Sequence, residues 1–315
     1  MGGEEARREA GGGAWVRLYG GGIGDLVLTL PFLRRLGEEG PLVVACPAPV
    51  QAELLARAPW VTRAAAVEEF LVARRRGAEG ARFYDLAEHP MQRDWWWGSE
   101  AFTRAFGPIH MLRVLERMFG FPPAAERPRL ESRPPEALLA AAGLEPGDLE
   151  RLVLLAPGGR RRNKLWPLER WRRLAGALRE RGWRPAVVGR AGEPYSHQVA
   201  ELAAGGLPHL GDGEIGATLD LLSAARAVVA VDNGLAHLAA LQGTPTVILF
   251  GPAQAWLWAP PYPNAVPVQG ACGLNCMAQP FEWECPWKVC MEVIRPETVL
   301  ATLLGLLEMG RTGAW

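Results

Sequence analysis

Short apolar runs alternate with amphipathic segments through the first part of the chain. The runs at 15–19, 41–46 and 82–87 have the length and apolar content of β-strands. The segments "LVLTLPFLRRL" (26–36) and "QAELLARA" (51–58) have the apolar spacing of helices. This alternation predicts an α/β arrangement built on a parallel sheet.

The same alternation begins again at residue 151. The run at 151–156 is apolar enough for a strand that is buried on both faces. A segment at 167–182 follows with helical spacing, a proline at its start and a glycine at its end. Further apolar runs at 185–189, 227–231 and 246–250 predict three more strands, so the second half is expected to form its own α/β unit.

Between the two halves, residues 122–150 are rich in proline and charge and lack a regular apolar spacing. Such a segment predicts an interdomain connection. We therefore expect a disordered tail at 1–13, a first domain at 14–148 that ends in this linker, and a second domain at 149–315. Two α/β domains joined in this way leave a cleft, which is a common place for a ligand.

Charge and composition narrow the class of protein. The chain has 315 residues and a formal net charge of zero, which argues against nucleic-acid binding. No apolar run reaches the roughly 18 residues of a membrane span. Residues 1–14 contain acidic side chains and no apolar stretch, unlike a secretory signal. These features predict a cytoplasmic protein whose thiols are mostly reduced.

A glycine turn, "GGGIGD" at 20–25, follows the first predicted strand. It contains neither G-K-[ST] nor G-x-G-x-x-G, so it is neither a P-loop nor a dinucleotide fingerprint. Its glycines are expected to adopt positive φ and to let a ligand approach the backbone. Asp25 has two compatible interpretations: the N-cap of a helix that begins at Leu26, or a general base for a hydroxyl nucleophile.

A first segment with features of a diphosphate site is "LLAPGGRRRNKLWP" (154–167). A strand ends in glycines, three arginines follow, and Lys164 precedes a helix. Gly159 would allow close backbone approach, and a lysine supplies a compact charge for phosphate oxygens. Lys164 and Lys288 are the only lysines among the 34 basic residues of the chain. The alternative interpretation is a basic surface turn.

A second segment of this kind is "VVAVDNGLAHLAALQGTPTVILFGP" (228–252). A strand leads into Asp232, Asn233 and Gly234, and His237 lies one turn into the helix that follows. A helix N-terminus offers N–H groups and a positive dipole end to a phosphate. Asn233 is expected to cap this helix. A histidine on an apolar helix is more often a packed core residue, but the convergence of these features favours a phosphate site.

Four cysteines, Cys272, Cys276, Cys285 and Cys290, lie within 19 residues. Their C-x3-C-x8-C-x4-C spacing allows a four-thiolate zinc site, a pair of disulfides or four reduced thiols. Because the gaps are looser than the usual C-x2-C, reduced or disulfide-linked thiols are favoured over zinc. In each case the expected role is structural.

Three segments, "GGIGDLVLTLPFLRRL" (21–36), "PGGRRRNKLWPLERW" (157–171) and the segment at 228–252, resemble in this order the glycosyltransferase family 9 proteins. These are heptosyltransferases that transfer heptose from ADP-heptose to the inner core of lipopolysaccharide. Segments at 107–121 and 272–300 also resemble the family. The resemblance implies the GT-B architecture, in which two Rossmann-like parallel-sheet domains face a cleft, with the acceptor on the first domain and the sugar nucleotide on the second.

The resemblance also implies a mechanism. The reaction would be inverting and would need no cofactor and no divalent metal. Asp25 would be the catalytic base, beside an acceptor-side loop that contains Gly22 and Gly24. Lys164 would neutralise charge on the departing diphosphate. The implied partners are a nucleotide-sugar donor and a glycolipid or glycan acceptor, with the inner face of the cytoplasmic membrane as a second expected location.

Residue by residue, the donor site implied by the resemblance consists of backbone and side-chain groups. Gly159, Asn233 and Gly234 would contact the phosphates, while Asp232 and His237 would hold that loop or touch the donor. Family members often carry Ser or Thr near Gly159 and at the position of Asn233. Glu193 aligns loosely with a family glutamate that contacts the nucleoside, and its alternative interpretation is a solvated loop carboxylate.

Two rival functions stay open at the level of sequence. One is a dinucleotide-dependent oxidoreductase on two Rossmann-like domains, against which the missing G-x-G-x-x-G argues. The other is a non-catalytic sugar-nucleotide-binding protein, against which the presence of Asp25 and Lys164 argues weakly. The donor sugar, the acceptor and the oligomeric state do not follow from the sequence.

Overall fold

The computed structural model describes residues 13–78, 80–88, 109–118, 120, 127–192, 195–211, 213–272, 285 and 287–312. These residues form two compact units. The first unit contains the described residues of 13–88 and 111–131. The second contains residues 109–110 and the described residues from Ser132 onward.

The first unit is built on a four-stranded parallel sheet in the order β3-β2-β1-β4. The strands are β1 (Ala14–Arg17), β2 (Leu42–Ala45), β3 (Arg63–Ala65) and β4 (Arg82–Asp85). The helices are α1 (Ile23–Glu39), α2 (Pro49–Leu55), α3 (Val67–Arg76) and α4 (Met111–Met118). The strands predicted at 15–19, 41–46 and 82–87 and the helices predicted after the first two are confirmed.

Burial on both faces explains why β1 and β2 are almost wholly apolar. Val16 pairs in register with Val44 of β2 and with Tyr84 of β4, and neither valine is exposed to solvent. On one face Trp15 packs against Phe70 and Phe83. Because all four strands are parallel, the turn that follows β1 lies at the same edge of the sheet as the turns that follow its neighbours.

The second unit is built on a six-stranded parallel sheet in the order β10-β9-β8-β5-β6-β7. Its strands are β5 (Leu152–Ala156), β6 (Arg184–Val188), β7 (His209–Leu210), β8 (Ala227–Val231), β9 (Thr246–Phe250) and β10 (Ala265–Gln269). Its helices are α5 (Glu136–Ala141), α6 (Leu168–Arg179), α7 (His197–Ala204), α8 (Ile215–Ala224), α9 (Gly234–Gln242), α10 (Ala255–Trp258), α11 (Val289–Glu292) and α12 (Pro296–Arg311). Two short 3₁₀ helices lie at Pro146–Arg151 and Arg162–Lys164.

The core of the second unit fixes the loop that contains Lys164. Trp166 and Trp171 are fully buried, and their rings meet edge to face with centroids 4.9 Å apart. The Trp166 indole N–H donates to the carbonyl of Ile294, and its own carbonyl accepts from the Gln198 amide. These contacts hold the chain rigidly two residues after Lys164.

Several boundaries differ from the sequence prediction. The helix expected to begin at Leu26 begins at Ile23. Three strands were missed, namely β3, β7 and β10, because they are short or lie at a sheet edge, where the apolar pattern is weak. A helix with the length and apolar character needed to cross a bilayer is not found in the part of the chain that the structure describes.

Two helical glycines in different surroundings give a test of the packing. Gly37 of α1 lies against the backbone of Trp60, and a Cβ at position 37 would overlap the Trp60 carbonyl oxygen. Gly176 of α6 has open space at the same position. We expect Gly37→Ala to destabilise the protein by about 1–3 kcal/mol through overpacking, although alanine is the better helix former by about 1 kcal/mol.

Gly176→Ala is the matched control, and it should be neutral or stabilising by up to about 1 kcal/mol. Urea unfolding followed by circular dichroism measures both changes. Equal stabilisation by the two substitutions would contradict the close approach of α1 to Trp60.

Candidate functional site

The residues predicted for a diphosphate site converge at one edge of the second sheet. Strands β5 and β8 are neighbours, and Ala156 pairs in register with Ala230. Because the strands are parallel, the loop that contains Lys164 and the loop that begins at Asp232 leave the sheet side by side. Residues 68 positions apart in the chain are thereby brought into contact.

Asp232 is the centre of this cluster. One of its carboxylate oxygens, Oδ2, forms an ion pair with the Lys164 ammonium, and the other, Oδ1, lies 3.3 Å from Nε2 of His237. The Asp232 side chain is 8% exposed and that of Lys164 is 19% exposed. The ion pair therefore lies where little water screens the charges. Their mutual attraction is strong there, but each charge has lost most of its hydration.

The electrostatics keep Asp232 ionised. Burial by itself would raise the pKa of the Asp232 carboxyl, but the Lys164 charge and the hydrogen bond and charge of His237 oppose this and hold the pKa well below its usual range. The carboxylate thus balances the Lys164 charge. Since an ammonium has three N–H donors and Asp232 takes one of them, the lysine keeps donors for an incoming anion.

Asn233 links the two loops. Its side-chain Oδ1 accepts a hydrogen bond from the Ala236 backbone N–H at 3.0 Å, which confirms the predicted N-cap of α9. Its Nδ2 donates to the carbonyl of Gly158 at 2.7 Å and lies 3.3 Å from that of Ala156. Asn233 therefore uses both ends of its amide to fix the start of α9 against the end of β5.

The glycines of the first loop differ in their surroundings. A Cβ on Gly158 would lie 2.8 Å from the Ser196 hydroxyl, whereas one on Gly159 would meet its nearest atom at an ordinary 3.7 Å. Gly158 is thus the position where a side chain is excluded by packing. Gly159 and Gly234 lie partly exposed at this edge, and Arg160 and Arg162 are exposed beside them.

His237 is a buried residue, as the structural interpretation of the sequence expected, yet it is also part of the cluster. Its side chain is 6% exposed. Its Nδ1 is buried and has no hydrogen-bond partner among the described residues. A buried polar atom of this kind usually has a partner in native proteins.

In the first unit, Asp25 lies in the first turn of α1 and is not its N-cap. The helix begins at Ile23, so the prediction of a helix start at Leu26 is wrong, and Gly22 occupies the capping position. The carboxylate reaches back, and Oδ2 accepts from the Gly22 N–H at 3.1 Å. This bond orients the carboxylate over the glycine turn and leaves lone pairs for other donors.

The glycines of the turn do not adopt positive φ, and one of them is needed because it has no side chain. Gly20, Gly21, Gly22 and Gly24 all have negative φ, contrary to the prediction, and Gly24 lies within α1. A Cβ on Gly20 would overlap Oδ2 of Asp25. Glycine at position 20 is therefore needed to make room for the carboxylate itself.

Gln51 is a residue of this site that the sequence did not single out. It lies on α2, is fully buried, and donates to the carbonyls of Gly20 at 2.6 Å and Gly22 at 3.1 Å. A polar side chain on the buried face of a short helix was the available signal. The contact fastens α2 to the turn that carries Asp25.

A cavity of about 400 Å³ lies at the carboxyl ends of β2 and β3, next to this turn. Ala48 lines the cavity, and its Cβ is 3.4 Å from the Cβ position of Gly21. The walls are otherwise made of small apolar residues with one thiol and one carboxylate, namely Cys46, Pro47, Pro49, Ala52, Ala64, Ala65, Ala66 and Glu69. Burial raises the pKa of the Cys46 thiol to about 11, so this thiol is neutral near pH 7.

Two of the predicted site residues, Glu193 and Cys276, lie outside the described residues. Cys272, Cys285 and Cys290 line a cavity of about 290 Å³ together with Asn163. Within the described ranges, no group of three His, Cys, Asp or Glu side chains is arranged to hold a metal ion. Because Cys276 is not among them, the preference for reduced or disulfide-linked thiols over zinc stays a prediction.

The Asp232 cluster predicts a pH-dependent stability. The folded pKa of Asp232 is lower than its ordinary value of 3.8, so its contribution is fully present above about pH 4 and is lost as the pH falls through the folded pKa. We expect Asp232→Asn to cost roughly 3 kcal/mol at pH 7, because Lys164 loses its partner. Near pH 2 the gap between variant and wild type should shrink.

Urea unfolding at the two pH values measures this difference. The double variant Lys164→Met with Asp232→Asn is the control, since replacing both partners avoids an uncompensated charge and should recover part of the loss. A loss that is the same at both pH values would contradict the assigned role of Asp232.

Comparison with known proteins places this chain in a family. A family model described as glycosyltransferase family 9 (heptosyltransferase) matches residues 101–286. A lipopolysaccharide heptosyltransferase 1 of Pseudomonas aeruginosa is 43% identical over 95 residues, which is 28% of this chain. The matched stretch spans 25% of the length of that curated relative.

Solved structures match almost the whole chain. A glycosyl transferase family 9 protein from Veillonella parvula matches with a TM-score of 0.72 at 18% identity, over 94% of this chain and 97% of its own. The ADP-heptose lps heptosyltransferase II of E. coli matches with a TM-score of 0.68 at 18% identity, over 95% and 99%. The predicted GT-B fold class, with two Rossmann-like parallel sheets, is confirmed.

The family model covers 186 of the 315 residues and includes both loops of the Asp232 cluster. The resemblance to the family is thereby confirmed, with the segments at 157–171 and 228–252 inside the matched range, and the protein belongs to glycosyltransferase family 9, the heptosyltransferase family.

Proposed function

We propose that this protein is an inverting glycosyltransferase that moves a heptose or a similar sugar from an ADP-sugar to a hydroxyl of a lipopolysaccharide core or another surface glycan. Family membership supports the reaction class. The name of a structural neighbour, ADP-heptose lps heptosyltransferase II, supports ADP-heptose as the first donor to test. The observation that carries the proposal is the cluster of Lys164, Asp232 and the N-terminus of α9 at one sheet edge.

The donor diphosphate is assigned to this cluster because its parts are complementary to a phosphate. The start of α9 presents N–H groups and a positive dipole end. Lys164 is held by Asp232 so that its ammonium has a fixed position. Asn233 fixes the loop before any ligand arrives. Such preorganised donors commonly contribute a few kcal/mol to a step in which negative charge develops.

The proposed chemistry begins in the first unit. Asp25 accepts the proton of an acceptor hydroxyl, and the hydroxyl oxygen forms a bond to the anomeric carbon of the donor sugar with inversion. The bond between that carbon and the diphosphate oxygen breaks, and its electron pair leaves with the nucleoside diphosphate. Lys164 then balances the charge of the leaving group.

The cavity beside the Asp25 turn is proposed as the place for the uncharged part of the acceptor. Among the described residues, its lining contains no arginine or lysine, and Glu69 is the only charged member. Glu69 is paired with Arg63 at 3.0 Å. A phosphate or carboxylate of the acceptor would gain no opposite charge there, whereas a neutral sugar ring would fit the small apolar walls.

We further propose that transfer needs no cofactor and no divalent metal, since the lysine and the helix N-terminus supply the positive charge at the leaving group. The proposed partners are the nucleotide sugar and a glycolipid or glycan acceptor, with no nucleic acid. An acceptor of this kind would be reached at the inner face of the cytoplasmic membrane.

Nucleotide binding gives the first test of this proposal. In the presence of a chelator, ADP at 100 times its dissociation constant should stabilise the second unit by about 2.7 kcal/mol, a shift of the unfolding midpoint by several degrees. UDP, GDP and NAD are tested in the same way, because a shift with one of them would assign a different nucleotide to the site. Lys164→Gln should abolish most of the ADP shift, whereas Lys288→Gln, at the other lysine of the chain, should preserve it.

Each competing outcome has its own meaning. A shift with UDP or GDP would preserve the reaction class and replace the donor. A shift with NAD alone would favour the oxidoreductase. Absence of any shift with the nucleoside diphosphates would contradict the assigned donor site.

Catalysis gives the second test. With ADP-heptose as donor and heptose-free inner-core lipopolysaccharide as acceptor, Asp25→Asn should lower ADP release by roughly 10²–10⁴-fold, the usual contribution of a general base. Its affinity for ADP should stay within a few-fold of wild type. Glu53→Gln, which removes an exposed carboxylate from α2, should change neither quantity.

A variant Asp25→Asn that binds ADP poorly while remaining folded would make Asp25 a binding residue instead of a base. A wild-type protein that binds ADP but releases none from ADP-heptose with this acceptor would point to a different donor sugar or acceptor, or to a non-catalytic binding protein.

A further inference from the structure

We infer that Glu69 determines which sugar enters the cavity beside the Asp25 turn: its carboxylate binds two neighbouring hydroxyls of a neutral sugar and disfavours a sugar with a phosphate or carboxylate in their place. This inference rests on the proposed function, which assigns the cavity to the acceptor. The cavity has a volume of about 400 Å³, within the roughly 300–1,000 Å³ that is usual for small-molecule sites.

The walls of the cavity leave the recognition of hydroxyls to Glu69. Helix α2 contributes Ala52 and strand β3 contributes Ala64 and Ala65, while Glu69 comes from the first turn of α3. Small apolar side chains can pack against the C–H groups of a sugar ring but cannot bond to its hydroxyls. The Cys46 thiol is a weak hydrogen-bonding group. The strong acceptor in the described lining is therefore the Glu69 carboxylate.

Two hydrogen bonds fix the Glu69 carboxylate. Its Oε1 accepts from the Ala66 backbone N–H at 3.0 Å, and its Oε2 accepts from the Arg63 guanidinium at 3.0 Å. An ionised carboxylate has about four lone-pair positions, so each oxygen can accept one more hydrogen bond. The side chain is half exposed, and a ligand in the cavity can therefore reach these positions. Two acceptors held side by side match two O–H donors on adjacent carbons of a sugar.

The charges around Glu69 favour a neutral ligand over an ionised one. Arg63 balances the Glu69 charge from outside the cavity lining, with its guanidinium carbon 5.5 Å from the centroid of the Trp15 ring. A helix N-terminus attracts anions, but at the start of α3 the Glu69 carboxylate already occupies that place. An anionic sugar would be repelled by Glu69, and a cationic one would compete with Arg63.

Glu69→Gln removes the charge and one of the two acceptor oxygens. The side-chain oxygen of glutamine can still accept from the Ala66 N–H, so the start of α3 keeps its hydrogen bond. Glu68→Gln is the matched control, because Glu68 is the exposed neighbour on α3 and lies outside the cavity lining. Circular dichroism should show that both variants are folded.

Binding of simple glycosides can be measured at the cavity wall. In protein labelled with carbon-13 at the alanine methyls, the resonance that disappears in Ala52→Ser reports Ala52. Methyl α-mannopyranoside has neighbouring hydroxyls and should shift this resonance. Its 2,3-dideoxy analogue lacks such a pair and should bind about tenfold more weakly, because it loses a hydrogen bond to a charged group. The 3-phosphate of the mannoside should bind more weakly still.

The variants then assign this preference to one side chain. In Glu69→Gln the affinity for the mannoside should fall about tenfold, and the difference between the mannoside and its dideoxy analogue should disappear. Glu68→Gln should bind all three glycosides as the wild type does. The inference is overturned if Glu69→Gln binds the mannoside as tightly as the wild type, if the wild type binds the 3-phosphate as tightly as the mannoside, or if the mannoside leaves the Ala52 resonance unmoved.

These results are separate from those that test the proposed function. If the mannoside binds through Glu69 but the wild-type protein releases no ADP from ADP-heptose, the proposed transfer fails while the cavity remains a sugar site. If Asp25→Asn abolishes transfer but Glu69→Gln binds the glycosides as the wild type does, the assignment of the base stands and the role of Glu69 is wrong.

Discussion

The ion pair between Lys164 and Asp232 is the interaction on which the chemistry proposed for the second unit depends. Two charges removed from water are costly unless they are well paired, and here the arrangement also recruits His237. The pairing requires that β5 and β8 be neighbours and parallel, because only then do their loops meet. The sheet order and the charge cluster therefore support one another.

Much of the fold follows from the sequence, because buried parallel strands are nearly pure apolar runs. The runs at 227–231 and 246–250 give β8 and β9 with the same bounds. The start of α1 does not follow, because Ile23 and Gly24 lack the features of a helix start and Asp25 resembles a cap. Strand β7 has only two residues, too few to show any period.

The sequence predicted which residues belong to the candidate site, but not which of them are in contact. Lys164, Asp232 and His237 were recognised by type and spacing, yet the pairing of Lys164 with Asp232 depends on strand order, which the sequence pattern leaves open. Gln51 was missed for a related reason. It contacts the glycine turn through the fold and belongs to no short motif.

The Gln51 contact has a consequence for how such a chain can evolve. Its amide reaches two backbone carbonyls, at Gly20 and Gly22, and no side chain. The contact is therefore indifferent to which residues occupy the turn but sensitive to their number. An inserted or deleted residue between β1 and α1 would break both bonds together. A substitution at position 21 would leave both bonds in place. Selection should therefore act on the length of this turn more strongly than on its full composition.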